Sequence, residues 1–418
     1  MTTSATPTTR AERIYTLDVI RGFALLGIFI MNMPGFNASL FAGTDGSEAW
    51  PEWWDQWTYT ATELLFSGKF NSMFSMLFAI GFTIQLERLE ARDPAHALST
   101  YLRRIFWLFV FGLVHVLVFW DGDVLHIYAV LGVVLLALRR APEKLLWGLF
   151  ALCVVFPVGM MLYKLTTFVP ADRARIVAEA QAIVAANDLA YGHGSFLAAV
   201  REHMRVFVLF YTESWIARGT LGFYLQVFMT MLLGLILGRR KFFQNIETHL
   251  PFVRRLQWWA LVAGLTTGAV FTYWDLTATD FVTPTPFRIL ASTCYFLCRV
   301  LIMIFYVATI IRCVHNVKIR PKLEPMATAG RMPLTNYLLQ TAIATTLFFG
   351  WGFGLWGQVG YALDFVLAVF IFFAIQVPLS YWWLKRFELG PLEYLWRRLT
   401  YGQATLRRAP AASAPSAG

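Results

Sequence analysis

Long apolar runs alternate along this chain with short charged connections. Ten runs approach the roughly 20 residues that a helix needs to cross a bilayer. They fall at 15–34, 69–87, 102–120, 123–139, 144–164, 216–238, 256–275, 286–312, 328–349 and 361–384. The pattern predicts an all-α polytopic membrane protein of about ten transmembrane helices. The connections sort by charge. ERLEARD with YLRR, LRRAPEK, GRRKFF with VRR, RCVHNVKIRPK and the closing KRF…WRRLTYG all fall on one side. Excess Lys and Arg makes that side cytoplasmic, and an even number of spans puts both termini there. A bacterial inner membrane is the expected location.

The opposite side carries acidic and aromatic connections. Residues 43–57 (GTDGSEAWPEWWDQW) place tryptophans among carboxylates, as interfacial anchors or as platforms for a carbohydrate. Residues 165–215 form one long extracytoplasmic connection with two helical stretches around a YGHGS turn. The glycine-rich 350–360 is a mobile lid or a plain loop. The expected organisation is a cytoplasmic tail (1–13), a five-helix bundle (14–164) and the helical connection (165–215). A second five-helix bundle (216–386), a cytoplasmic amphipathic tail (387–408) and a disordered C-terminus (409–418) follow.

Composition narrows the classes further. The chain is 58% hydrophobic and 14% charged, which excludes an ordinary soluble domain. Its net charge of +10 gathers on one side of the membrane, so it argues for topology and not for nucleic acid. Four cysteines (Cys153, Cys294, Cys298 and Cys313) lie in or beside apolar segments and read as small buried thiols, not a disulfide framework. Arg10 and Arg13 before the first span resemble the charged start of a signal. The segment that follows is long, internally charged and without a convincing cleavage site, so it reads as a retained helix.

That first span, TLDVIRGFALLGIFIMNMPGF (16–36), holds costly groups. Asp18 and Arg21 are three apart on one face. Arg21 and Asn32 are eleven apart, so they share that face about 16 Å from each other. The stripe is either a buried structural pair or the wall of a site running through the membrane. A second concentration lies in HVLVFWDGDVLH (115–126), where a helical hairpin would bring His115 and His126 to similar depth. Asp121 and Asp123 occupy the turn, and Asp123 shares a face with His126. Imidazole and carboxylate together move protons, the acid orienting the ring and stabilising its cation. The same four residues are open to a structural role or to a divalent metal, although no HExxH-like spacing is present and no metal is expected. Glu63 and Lys69 could pair. Arg299 sits mid-span and needs a partner or an anionic ligand. Arg331 lies at the cytoplasmic end of GRMPLTNYLLQT, where Asn336 and Gln340, one turn apart, bind a substrate or another helix. Asp364 and Gln376 are further intramembrane polar groups. His96, His193, His203, His249 and His315 read as solvated, and Ser195 has no convincing base.

Four stretches together carry a resemblance: LDVIRGFALLGIFIMN, HVLVFWDGDVLHIYAVLG, GRMPLTNYLLQ and GPLEYLWRRLTYG. In this order they resemble the YeiB-like family of bacterial inner-membrane proteins over nearly the whole chain. The opening is also similar to that of heparan-α-glucosaminide N-acetyltransferase and, more distantly, to bacterial membrane O-acyltransferases. This resemblance implies a two-bundle transmembrane acyltransferase fold, a cytoplasmic acyl donor such as acetyl-CoA, and a sugar or other alcohol or amine acceptor on the far side. Two departures stand out. The O-acyltransferases follow their arginine, after ten residues, with histidine; here Asn32 follows Arg21 at that interval, as in the heparan enzyme. That enzyme's own histidine comes shortly after its first span, and residues 36–60 here contain none.

The expected mechanism follows. Arg21, Arg299 and Arg331 would hold the CoA phosphates, since guanidinium pairs with phosphate in a bidentate way. His115, oriented by Asp123, would be the general base, with His126 able to share the role. Asn32 would stabilise the oxyanion. Asp18, Asp121, Asn336 and Gln340 would contact substrate. Expected partners are membrane lipids, the donor and the acceptor, with homodimerisation open and nucleic acid excluded. The competing expectation is a transporter or exporter of a small polar molecule or lipid intermediate, with the buried charges as its path.

Overall fold

The computed structural model describes residues 14–44 and 50–402. The expectations for 1–13 and 409–418, and part of the tryptophan-rich loop, lie outside the described residues. The chain is helical throughout and holds no β-strand among the described residues. In order the helices are α1 (Tyr15–Asn37), α2 (Trp53–Leu65), α3 (Lys69–Arg92), α4 (Ala97–Val114), α5 (Leu125–Leu138), α6 (Glu143–Thr167), α7 (Pro170–Asn187) and α8 (Phe196–Thr212). They continue with α9 (Ser214–Arg239), α10 (Ile246–Thr277), α11 (Pro286–Val314), α12 (Glu324–Gly330), α13 (Pro333–Phe348), α14 (Tyr361–Ile371), α15 (Val377–Leu384) and α16 (Pro391–Tyr401).

Among the described residues seven helical segments are long and apolar enough to cross a membrane: Tyr15–Asn37, Trp53–Arg92, Ala97–Phe119, Glu143–Thr167, Ser214–Arg239, Pro286–Val314 and Tyr361–Leu384. The other three expected spans are helical but atypical. Helix α5 is apolar with only 14 residues. Helix α10 is 32 residues long but more polar. The 328–349 stretch divides at Arg331–Met332 into α12 and α13. The short α5 and the broken 328–349 stretch are possible where protein, not lipid, surrounds the helix, whereas α10 keeps an outer face of exposed Trp258, Trp259 and Val262.

Basic connections meet at one end. Arg139 and Arg140 approach Glu90, Arg240 pairs with Glu143, and the Tyr15 hydroxyl donates to the Arg320 carbonyl. At the other end Asn37 donates to the Val359 carbonyl, Asp55 accepts from the Ala362 N–H, and the Trp356 indole donates to Asp188. One continuous apolar core draws on both halves of the chain. Helix α1 lies against α12, α13 and α14 as well as α3, and α3 lies along α9. The helical connection adds a small second core of Phe41, Ile183, Val206 and Ile216.

Close backbone approach sets the register of two pairs. A Cβ at Gly22 would stand 2.0 Å from the Met326 carbonyl oxygen, and one at Gly330 would stand 1.9 Å from that of Asp18, so α1 and α12 touch main chain to main chain. Small residues permit this in membranes. Likewise a Cβ at Gly112 would stand 2.3 Å from the His126 nitrogen, which brings α4 against the start of α5.

Helix α16 is amphipathic and docks against α4 and α13. The Trp396 indole donates to the Arg104 carbonyl while the Arg104 guanidinium lies 3.6 Å above the Trp396 ring. Gln85 bonds the Tyr401 hydroxyl. Glu393 accepts from the Leu334 and Thr335 N–H groups and the Thr335 hydroxyl, capping the start of α13. Burial pushes the Glu393 carboxyl up, against the bonds from Thr335 and Leu334 that hold it down.

Candidate functional site

A cavity of about 400 Å³ opens at the basic end. Arg21, Arg88, Arg92, Arg104, Arg331 and Arg397 line it, with only Asp18 and Glu393 as carboxylates. Deeper, its walls turn apolar through Leu25, Ile28, Phe74, Phe78 and Leu108 and end at Val124, Leu125, Tyr128 and Tyr337. Arg21 donates to Asp18 at 2.9 Å, so the predicted pair forms on one face of α1 and that face lines the cavity. Tyr401, Trp396, Arg397 and Glu393 make α16 part of the rim.

Behind the cavity's far end sits the histidine–aspartate hairpin. Helix α4 continues into a π-helical turn over His115–Phe119, a distortion found often at functional sites. Asp123 lies between two rings, with Oδ1 2.8 Å from His115 Nδ1 and Oδ2 2.9 Å from His126 Nδ1. The His126 N–H also donates to Oδ2. A carboxylate only accepts, so each Nδ1 carries its hydrogen and each Nε2 offers a lone pair. His115 Nε2 then accepts from the Thr341 hydroxyl at 2.9 Å, and His126 Nε2 from the Tyr211 hydroxyl at 3.0 Å. Tyr211 continues to Tyr224 at 2.8 Å. The two Nδ1–H groups and the His126 main-chain N–H together satisfy both Asp123 oxygens. The Tyr337 ring, 5.3 Å from that of His115, separates the pair from the cavity, and Val124 and Leu125 are the chain between Asp123 and His126.

Other expected site residues lie elsewhere. Asp121 accepts from the Tyr191 hydroxyl at 3.1 Å, and burial pushes its carboxyl up to about 6. Asn336 donates to the Ala329 carbonyl and to Ser380, and Gln340 to the Leu25 carbonyl and to Gln376. Both therefore tie α13 to its neighbours, the helix-to-helix alternative. Arg299 is not at the mouth. It donates to Gln226 at 2.6 Å and lies over Tyr295 at 4.0 Å, beside the α2–α3 break at Gly68, whose backbone is left-handed (φ 72°). There Lys69 donates to the main-chain oxygen of Glu63, whose carboxylate instead takes the Tyr295 hydroxyl. Asn32 is half-buried, with no hydrogen bond among the described residues.

One residue near the pair, which sequence reads as solvated, is instead enclosed by aromatic rings. His203, on α8, is 1% exposed and stacks on Tyr191 at 4.7 Å, and Tyr191 stacks on Phe349 at 4.9 Å. Burial, with His115 close by, pushes its imidazole down to about 3, so it is neutral. Its only legible signal was position: His203 and Phe207 are one turn apart, and Phe207 packs edge-on against His126. Among the described residues no group of three or more His, Cys, Asp or Glu is placed to hold a metal ion.

Fold and cavity together define a multi-pass helical membrane protein with a buried, hydrogen-bonded His–Asp–His cluster next to a basic-ended cavity. Comparison with known proteins sets its kinship. Residues 237–403 match a family described as a protein of unknown function (DUF418). The uncharacterized protein YxaH of Bacillus subtilis (strain 168) is 32% identical over 95% of this chain and 96% of its own length. The uncharacterized protein YeiB of Escherichia coli (strain K12) is 28% identical over 93% and 96%. The chain belongs to this YeiB-like family.

Proposed function

We propose that the protein is a membrane acyltransferase of the bacterial inner membrane. It takes an acetyl or other short acyl group from cytoplasmic acyl-CoA and passes it to an alcohol or amine, such as a sugar, on the far side. The observation that carries this reading is the cavity, which starts among six arginines, continues between apolar walls and ends at Tyr337, behind which a buried pair of imidazoles shares one carboxylate. The basic end faces the cytoplasm by its Lys and Arg excess, and the termini with it. Lipids surround the apolar spans; self-association is a separate question.

Acyl-CoA supplies a phosphate-rich head, a long arm and a thioester. Arg21 and Arg331, joined by Arg88, Arg92, Arg104 and Arg397, hold phosphate oxygens at the mouth. An imidazole of the pair takes the proton of the acceptor O–H or N–H. The new bond to the acyl carbon forms, the C–S bond breaks, and the imidazolium returns the proton to the thiolate. Asp123 stabilises the cation throughout. Asn32, three turns from Arg21 on α1, donates its amide to the oxyanion.

The test is thermal unfolding of the purified protein across CoA and acetyl-CoA titrations, beside Arg21→Ala. A ligand of the folded state at about 100 times its Kd stabilises by roughly 2.7 kcal/mol. A saturable rise in Tm, absent in Arg21→Ala, supports the donor site; no rise at millimolar CoA in folded protein rejects it. One observation favours a second reading, a proton-coupled transporter. Thr341, His115, Asp123, His126, Tyr211 and Tyr224 form an unbroken hydrogen-bonded chain, as a proton relay requires. Substrate flux without covalent change of the substrate distinguishes it.

A further inference from the structure

The two imidazoles of the pair are not equivalent, and the difference assigns the acceptor's place. Both rings are buried, His115 at 1% and His126 at 6% exposed, and what differs is the partner of each Nε2: that of His115 is closed off by the Thr341 hydroxyl from inside the bundle. The Nε2 of His126 faces outward between α8 and α9, where it meets the hydroxyl of Tyr211, a side chain 46% exposed. The Tyr211 ring packs on Phe207, and Phe207 packs edge-on against His126. A hydroxyl carried by a half-exposed residue, 3.0 Å from a ring nitrogen that Asp123 orients, is the geometry of a bound alcohol.

The geometry points to His126 as the base that meets the acceptor, and to the Tyr211 hydroxyl as a stand-in for the acceptor's own. This rests on the acyl-transfer reading. The acceptor is then a hydroxyl compound whose ring or chain lies between Phe207 and Tyr224, and its O–H displaces that of Tyr211 from His126 Nε2. The cavity ends behind the same ring, at Val124 and Leu125, the two residues that precede His126. His115, joined through Asp123, is a positioning residue that shares the carboxylate and fixes its orientation. The shared chemistry is a hydroxyl, whether on a water-soluble sugar or on a lipid-linked one.

Two measurements on the full chain in nanodiscs test this. The first uses diethyl pyrocarbonate, whose carbonyl carbon is attacked by a free imidazole nitrogen to give N-carbethoxyhistidine, carbon dioxide and ethanol. Site-resolved mass spectrometry should find His126 modified at least tenfold faster than His115. Tyr211→Phe, by removing the bond that occupies the lone pair, should speed His126 about three- to tenfold and leave His115 unchanged. Equal rates at the two rings, or no effect of Tyr211→Phe, overturn the placement.

The second follows thiol release from acetyl-CoA with water as the smallest hydroxyl acceptor, and then with glucosamine or an undecaprenyl-linked sugar to separate the two sources. Tyr211→Phe should raise release to water at least threefold, and His126→Gln should abolish it, both with CoA binding unchanged. A fall in Tyr211→Phe, or wild-type release in His126→Gln, overturns the inference. If the wild type neither binds CoA nor releases thiol, the acyl-transfer reading fails, and the carbethoxylation rates still decide which imidazole faces outward.

Discussion

Replacing Gly330 with alanine tests how the mouth of the cavity is held. The new Cβ would lie 1.9 Å from the Asp18 carbonyl oxygen and 2.7 Å from the Gly22 nitrogen, whereas ordinary contact begins at 3.4 Å. The atoms that must give way are main chain, with no flexible tip to rotate aside. Helices α1 and α12 therefore have to part by about 1.5 Å at a seam where Ile20, Ala329 and Ala24 are wholly buried. Overpacking of this kind costs about 1–3 kcal/mol, and alanine's better helix propensity offsets less than about 1 kcal/mol of it. The net expectation is a loss of about 1–2 kcal/mol, read as a lower Tm in one detergent. Gly148→Ala is the control, because a Cβ there meets nothing within 4 Å. Arg331 follows Gly330 directly and lines the cavity together with Asp18 and Arg21, so affinity for any phosphate-bearing ligand of the mouth should fall as well. A Gly330→Ala protein as stable as the Gly148→Ala control would refute the close main-chain packing.

Three further outcomes are expected. Asp123→Asn leaves one acceptor oxygen for two Nδ1–H groups, so one ring must change tautomer; nitrogen-resolved NMR of the histidines should show two Nδ1–H rings in the wild type and one in the variant, with about 2–4 kcal/mol lost in thermal unfolding. Glu393→Ala removes three bonds that cap α13, so hydrogen exchange over 391–401 should accelerate at least tenfold while the core of α1 is unaffected. Asp121 binds its proton more tightly folded, at about 6, than at its ordinary 3.8. Its contribution is therefore complete below about pH 4 and lost as pH rises through 6; Asp121→Asn should remove that part of the Tm-versus-pH slope, and an unchanged slope would contradict the buried carboxyl.

The parts of the site that sequence made legible are local. Asp123 and His126 are one turn apart, and a short hairpin carries His115 to them, so i,i+3 spacing and turn length suffice. The Asp18–Arg21 stripe was readable for the same reason. Periodicity names a face but not the helix that meets it. Arg299 and Arg331 looked alike as arginines at membrane segments, yet one joins Gln226 and the other lines the cavity. Arg88, Arg92 and Arg104 read as topology signals because loop charge has that meaning by default. His203 was lost because Tyr191 and Phe349, which enclose it, come from an irregular turn and the end of a distant helix. Spans 123–139 and 328–349 were placed correctly as helices but are shorter or broken, since neighbouring helices shield what length would otherwise have to cover.

The docking of α16 has a consequence for how the chain is made. Synthesis runs from α1 to α16, and earlier segments settle while later ones are still being added. The charged face of α1 thus enters the bilayer long before α13 and α16 exist to wall the cavity it lines. Arg21 does not wait for them: its bond to Asp18 lies within its own helix, so α1 arrives with its charge already neutralised. Arg104 arrives early too, whereas the Trp396 ring that covers it is among the last described residues to be made. The mouth is the final part of the molecule to take shape, and a chain stopped short of residue 391 would carry a finished histidine pair beneath an unfinished opening.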